Sequence, residues 1–250
     1  MTNPLQAHRA TFDPTVGTVG SVLGRLVRAI PSALLFGGSI GLSAFLLFSV
    51  EPLVGRLTTP VFGGAAGVWA TVLAFFQGVL LLGYLYAHLL ATRLPARRAA
   101  AVHVAVVLAA LAATALAPAR AVELRREDIP TLVDLVRVLA IVVGPAAFAI
   151  TSTTPLLSAW YARVRRETNP GAAATDPYWL YALSNGGSLV ALLAYPLLVE
   201  PALGLTAQRS AWLVGFALLA VALVGAAARA AVTRTASAPP AAQAAGVAAS

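Results

Sequence analysis

Two carboxylates close apolar runs in this 250-residue chain: Glu51 in Val50-Glu51-Pro52 and Glu200 in Val199-Glu200-Pro201. With Trp69, Tyr195 and Trp212 near the same predicted helix ends, they suit an organic cation held by charge and by the negative face of an aromatic ring. The competing reading is a helix stop at headgroup level, each acid followed by a proline, with Glu51 paired to Arg56. Amides and hydroxyls form a second set, namely Gln77 in Phe75-Phe76-Gln77-Gly78 and the run Ser184-Asn185-Gly186-Gly187-Ser188. Polar groups inside lipid are costly and are functional candidates by default. Their plainer role is to bond between helices at a close, glycine-lined contact. Thr151-Ser152-Thr153-Thr154 before Pro155 lines a pocket on one reading; on the other it re-satisfies carbonyls that the proline frees. His88 and His103 flank a predicted loop, where lone interfacial histidines usually neither titrate nor hold phosphate. The ligand-binding candidates are therefore Glu51, Trp69, Gln77, Ser184, Asn185 and Glu200. No catalytic set, metal site or cofactor is expected. Cysteine is absent, which excludes disulfides and thiolate sites. The glycine-rich Phe62-Gly63-Gly64-Ala65-Ala66-Gly67 lacks the strand context and distal acid of a nucleotide fingerprint.

Composition dictates what must position these residues. Apolar side chains make up 59% of the chain and charged ones 10%, against about 25% in soluble domains. Mean hydropathy is +0.84. Such a chain is an integral membrane protein. Its net charge of +8 does not imply nucleic acid, because the arginines sit in small groups between apolar runs instead of forming a stripe. A helix needs roughly 20 apolar residues to cross a bilayer, and six segments qualify: 29–50, 66–90, 99–117, 132–162, 178–199 and 210–228. The fourth is interrupted at Thr151–Pro155. The expected fold is an all-α bundle of about six transmembrane helices spanning 29–229. It lies between a cytoplasmic N-terminal segment, 1–28, and a disordered Ala/Pro-rich tail, 230–250. A cleaved signal peptide is not expected, since the first apolar run exceeds an ordinary signal core.

Arginine placement orients the bundle. With the N-terminus inside, eleven arginines fall in cytoplasmic segments (Arg9, Arg25, Arg28, Arg93, Arg97, Arg98, Arg163, Arg165, Arg166, Arg229 and Arg234). Five fall outside: Arg56, Arg120, Arg125, Arg126 and Arg209. The positive-inside rule then places both termini in the cytoplasm. Trp69 and Trp212 mark outer helix ends and Trp160 and Trp179 inner ones, as an aromatic belt would. A 3+3 repeat of inverted halves is legible in two registers. One pairs the two Val-Glu-Pro sequences; the other pairs Thr59-Pro60, Trp69 and Gln77 with Thr154-Pro155, Trp179 and Asn185. Inverted halves are how transporters build a site near the midplane.

The ordered run Gly41-Leu42-Ser43-Ala44-Phe45-Leu46-Leu47-Phe48-Ser49-Val50-Glu51-Pro52, Phe62-Gly63-Gly64, Val68-Trp69-Ala70-Thr71, Phe75-Phe76-Gln77 and Tyr86-Ala87-His88, followed by Thr151–Trp160, Ser184–Ser188 and Val199-Glu200-Pro201, resembles the membrane portion of bacterial spermidine-synthase-like proteins. The resemblance covers about residues 34–228. It implies a bundle comparable with half of a major-facilitator transporter in a bacterial inner membrane, preceding a cytosolic aminopropyltransferase-like domain. This chain ends where that domain would begin, so the family's catalytic residues have no counterpart here. The expected function is a membrane module that binds or moves a small cationic or amphipathic metabolite, or anchors a separately encoded cytosolic synthase. The alternatives are a stand-alone membrane enzyme using Glu51, His88 or Asn185, or a structural assembly partner. Beyond the bilayer, the expected partners are that synthase and that metabolite, with no nucleic acid.

Overall fold

The computed structural model describes residues 30–117, 131–168 and 178–232, and among them every regular element is helical. The N-terminal segment and most of the expected tail lie outside the described residues. The helices are α1 (Ser32–Phe62), α2 (Ala66–Arg93), α3 (Ala96–Leu116), α4 (Leu132–Val142), α5 (Gly144–Thr168), α6 (Tyr178–Ala194), the short α7 (Glu200–Ala202) and α8 (Leu205–Val232). A π turn, Tyr195–Val199, joins α6 to α7. Five spans are long and apolar enough to cross a membrane, and α4 with α5 makes a sixth, bent by 62°. The chain is a multi-span all-α membrane bundle.

Several boundaries differ from expectation. The first helix does not stop at Glu51-Pro52 but runs through Pro52 and Pro60 to Phe62. A proline removes one backbone donor and crowds the carbonyl four residues back, here those of Phe48 and Arg56, and the neighbouring turns are held by added side-chain donors. Leu46 O accepts from Ser49 Oγ and from Trp212 Nε1, and Gly55 O accepts from Thr58 and Thr59. The helix then ends at Gly63, whose φ of 78° is the left-handed conformation glycine adopts at little cost. Likewise α5 continues through Pro155, and the break in that span falls earlier, between Val142 and Gly144. The start of the span is capped: at the N-terminus of α4, Thr131 and Asp134 form a reciprocal capping box. Arg137, which sits within the predicted span, pairs with Asp134 at 3.0 Å. At the other end, α8 extends to Val232, into the segment expected to be tail.

The packing is interleaved. Consecutive helices α1 and α2 barely touch, whereas α1 packs along α6, α5 and α8, and α5 packs along α2, α1, α3 and α8. With α1–α3 as one half and α4–α8 as the other, the pattern survives exchange of halves. The first span of each half packs on the second and third of the other, the two first spans pack together, and so do the two third spans. Thus α1 corresponds to α4–α5, and α2 to α6. That matches the Thr-Pro register; the Val-Glu-Pro register would equate α1 with α6, which are instead packing partners.

The core follows α1 and α5. Phe36, Ile40, Leu46, Ile150, Leu156 and Leu157 are fully buried there, with Leu135, Leu139, Phe216 and Leu219 from neighbouring helices. Trp160 and Trp212 are also buried, so they do not belong to an aromatic belt. Trp212 donates from Nε1 to Leu46 O at 2.9 Å, satisfying the one polar atom that would otherwise oppose its burial. Trp69 and Trp179 remain exposed.

Candidate functional site

The residues singled out from the sequence converge in part. Glu51 of α1, Gln77 of α2, and Ser184 and Asn185 of α6 line one cleft of about 300 Å³. They are joined by Ser43, Tyr84, Thr151, Thr154 and Ser188, and by the aromatic walls Phe48 and Phe76. The cleft exists because α2 and α6 make no substantial contact with each other, while both pack against the α1–α5 centre. Gln77 and Asn185 are accordingly exposed toward it and Glu51 is half-buried.

Hydroxyl geometry sets the polarity of this cleft. Thr151 Oγ1 donates to Phe148 O at 3.0 Å, Ser188 Oγ to Ser184 O at 3.0 Å, and Ser43 Oγ to Ile150 O at 3.1 Å. Thr154 Oγ1 donates to Ser43 Oγ at 3.4 Å. Each hydroxyl has one proton and two lone pairs. With the proton spent on these partners, what remains for a guest is acceptor capacity. Glu51 adds a carboxylate that makes no ion pair among the described residues. These hydroxyls and Glu51 offer acceptors, the Gln77 and Asn185 amides offer both donors and acceptors, and the lining carries one formal negative charge and no cation.

Glu200 and Trp69 lie elsewhere, in a second cavity with Arg56 and Tyr195. The ion pair at this end joins Arg56 Nε to Glu200 Oε1 at 3.6 Å. Arg56 thus reaches from α1 to α7 and is not paired to Glu51, five residues back on its own helix. Glu51 and Glu200 do not share a compact site.

The expectation for His103 is corrected outright. Far from flanking a loop at the interface, it is fully buried between α2, α3 and α5, while His88 is exposed. His103 Nε2 lies 3.1 Å from Thr153 Oγ1, and Thr153 donates its only proton to Ala149 O at 2.7 Å. Nε2 must then be the donor, which leaves Nδ1 as a buried acceptor with no partner. Tyr86, whose ring centroid is 5.9 Å from that of His103, holds a buried hydroxyl in the same condition. Trp160 closes the cluster edge-on to His103. This cluster and the Tyr195–Gln208 bond discussed below have no sequence signal, because both depend on which face of an apolar helix turns inward.

Arg209 spends itself locally: its Nη2 donates to Thr114 O, Ala115 O and Ala117 O at the C-terminal end of α3, satisfying carbonyls that a helix end leaves unpaired. Among the described residues no group of His, Asp and Glu is arranged to hold a metal ion. No protein-family model matches this sequence, and neither a curated protein nor a solved structure does.

Proposed function

We propose that this membrane protein binds a small amine in the cleft between α1, α2, α5 and α6, with Glu51 as counter-charge. The observation that carries the reading is Glu51, the one charged side chain of a cleft whose lining holds no cation, beside four hydroxyls whose protons are already spent on the protein. An ammonium brings only donors and a positive charge, and it complements that carboxylate and the amide and hydroxyl oxygens around it. A volume of about 300 Å³ lies at the small end of ligand pockets, about 300–1,000 Å³. Phe48, Phe76 and Tyr84 suit the apolar stem of an amphipathic amine. The polyamine class is favoured only by the resemblance of residues 34–228 to spermidine-synthase-like membrane domains. The same resemblance favours a second reading, a membrane anchor for a cytosolic synthase.

Spermidine is the probe. In the purified full-length protein, Glu51→Gln keeps size and hydrogen bonding but removes the charge. It should weaken spermidine binding at least tenfold, about 1.4 kcal/mol, with the unfolding temperature in detergent nearly unchanged. Equal affinities for the two proteins would sink the amine reading. Retention of a soluble protein from the native membrane, without any retained amine, would support the anchor instead.

The arginine asymmetry supports both termini in the cytoplasm of a bacterial inner-membrane protein. A reporter active only in the cytoplasm should work when fused after Arg234 and fail near Arg125. The reverse pattern would invert the orientation and turn Glu200 toward the inner face.

A further inference from the structure

Beyond the cleft, toward the C-terminal ends of α1 and α6, lies a second cavity. The second, of about 560 Å³, is lined by Arg56 and Thr59 of α1, Trp69 of α2, Tyr195, and Glu200 of α7. On α1 the two meet at adjacent residues, since Glu51 lines the cleft and Pro52 the end cavity. On α2 seven residues separate Phe76 in the cleft from Trp69 in the end cavity, and seven separate Ser188 of α6 from Tyr195, the first residue of the π turn that continues it. At 1.5 Å per residue each step is about 10 Å along the axis. The helix directions agree, because α1 and α6 approach the end cavity with rising residue number and the antiparallel α2 with falling number. The cavities are stacked end to end.

We infer that the end cavity is a first binding station for the same amine, from which it passes to Glu51. The inference rests on the amine reading of the cleft. Glu200 supplies the anion, and the exposed indole of Trp69 supplies a face for cation–π contact. Arg56 is a tethered competitor: it reaches Glu200 by a single contact at 3.6 Å instead of a bidentate fork. Its Nη1 is buried without a hydrogen-bond partner, so the pairing leaves the guanidinium incompletely satisfied. Both partners are well exposed, with side-chain accessibilities of 37% and 45%, and ion pairs of that kind are weak. An arriving ammonium can therefore displace Arg56 from Glu200 at little cost, and the freed guanidinium repels it onward toward the lone carboxylate of Glu51.

The test is rapid mixing of spermidine with the full-length protein in nanodiscs, followed by tryptophan fluorescence, with unfolding temperatures as the folding control. A fast phase that Trp69→Phe removes is expected, then a slower one. Glu200→Gln should slow association at least fivefold with little change in equilibrium affinity. Arg56→Gln should speed it, an opposite sign that general damage would not produce. Glu51→Gln should abolish tight binding yet keep the fast Trp69 signal. If Glu200→Gln and Arg56→Gln both leave the association rate unchanged while Glu51→Gln abolishes binding, the station is overturned and the cleft reading stands. If Glu51→Gln binds like wild type while Glu200→Gln does not bind, the cleft reading falls, and with it the transfer step. A wild-type protein that gives no response to spermidine overturns both.

Discussion

Gly187→Leu is expected to prevent stable assembly of the bundle, whereas Gly186→Leu, one residue earlier, should be tolerated. A Cβ at Gly187 would run into the carbonyl oxygen of Gly41, while one at Gly186 meets nothing within 4 Å. The obstacle at position 187 is backbone, which cannot rotate aside as a side chain can, so α1 and α6 would have to separate along their length. Overpacking inside a core ordinarily costs about 1–3 kcal/mol, and a collision with main chain belongs at or above the top of that range. Loss of monodisperse protein in detergent, or a large fall in unfolding temperature, is the expected readout for Gly187→Leu alone. Equal stability of the two variants would mean that α1 and α6 do not meet on this face, and would turn Asn185 away from the cleft. Across the other half, Gly83 of α2 stands in the same relation to Thr151 of α5, where a neighbouring side chain leaves more room to adjust.

The second large effect is expected at Gln208, a residue without any sequence signal. Its side chain is 3% exposed; it accepts from Tyr195 Oη at 2.8 Å and donates to Leu203 O at 2.8 Å. These bonds stitch the start of α8 to the π turn of Tyr195–Val199, a stretch in which Pro196 and Pro201 have removed two backbone donors. Gln208→Leu conserves most of the volume and leaves a phenol and a carbonyl unpaired. An orphaned buried group such as the phenol costs about 1–3 kcal/mol and the part-buried carbonyl adds less, so a loss of roughly 1–4 kcal/mol is expected. Adding Tyr195→Phe should restore part of it, because removing both partners of a buried bond costs less than removing one. The cycle is read from unfolding temperatures of the four proteins in detergent. If Gln208→Leu is as stable as wild type, water reaches this turn and the end cavity is not sealed at Tyr195.

The sequence by itself determined that this is a membrane bundle, roughly where its spans lie, and which polar residues were worth suspecting. Those features are one-dimensional: a run of apolar residues is long enough to cross lipid wherever its neighbours sit, and a polar group inside it is costly in any packing. That is why Glu51, Gln77, Ser184 and Asn185 could be named in advance and do come together in the cleft. Which face of each helix turns inward is fixed by the packing alone. An amphipathic helix of a soluble protein announces its buried face by an apolar stripe, but these spans are apolar all round. The burial of His103 among Tyr86, Thr153 and Trp160, the inward turn of Trp160 and Trp212, and the pairing of Arg56 with Glu200 instead of Glu51 were therefore invisible. The same holds for Pro52 and Pro155, read locally as a stop and a break. Whether a proline ends a helix depends on how firmly its neighbours hold the turns around it, and beside Pro52 one such contact, from Trp212 to Leu46 O, comes from 166 residues away.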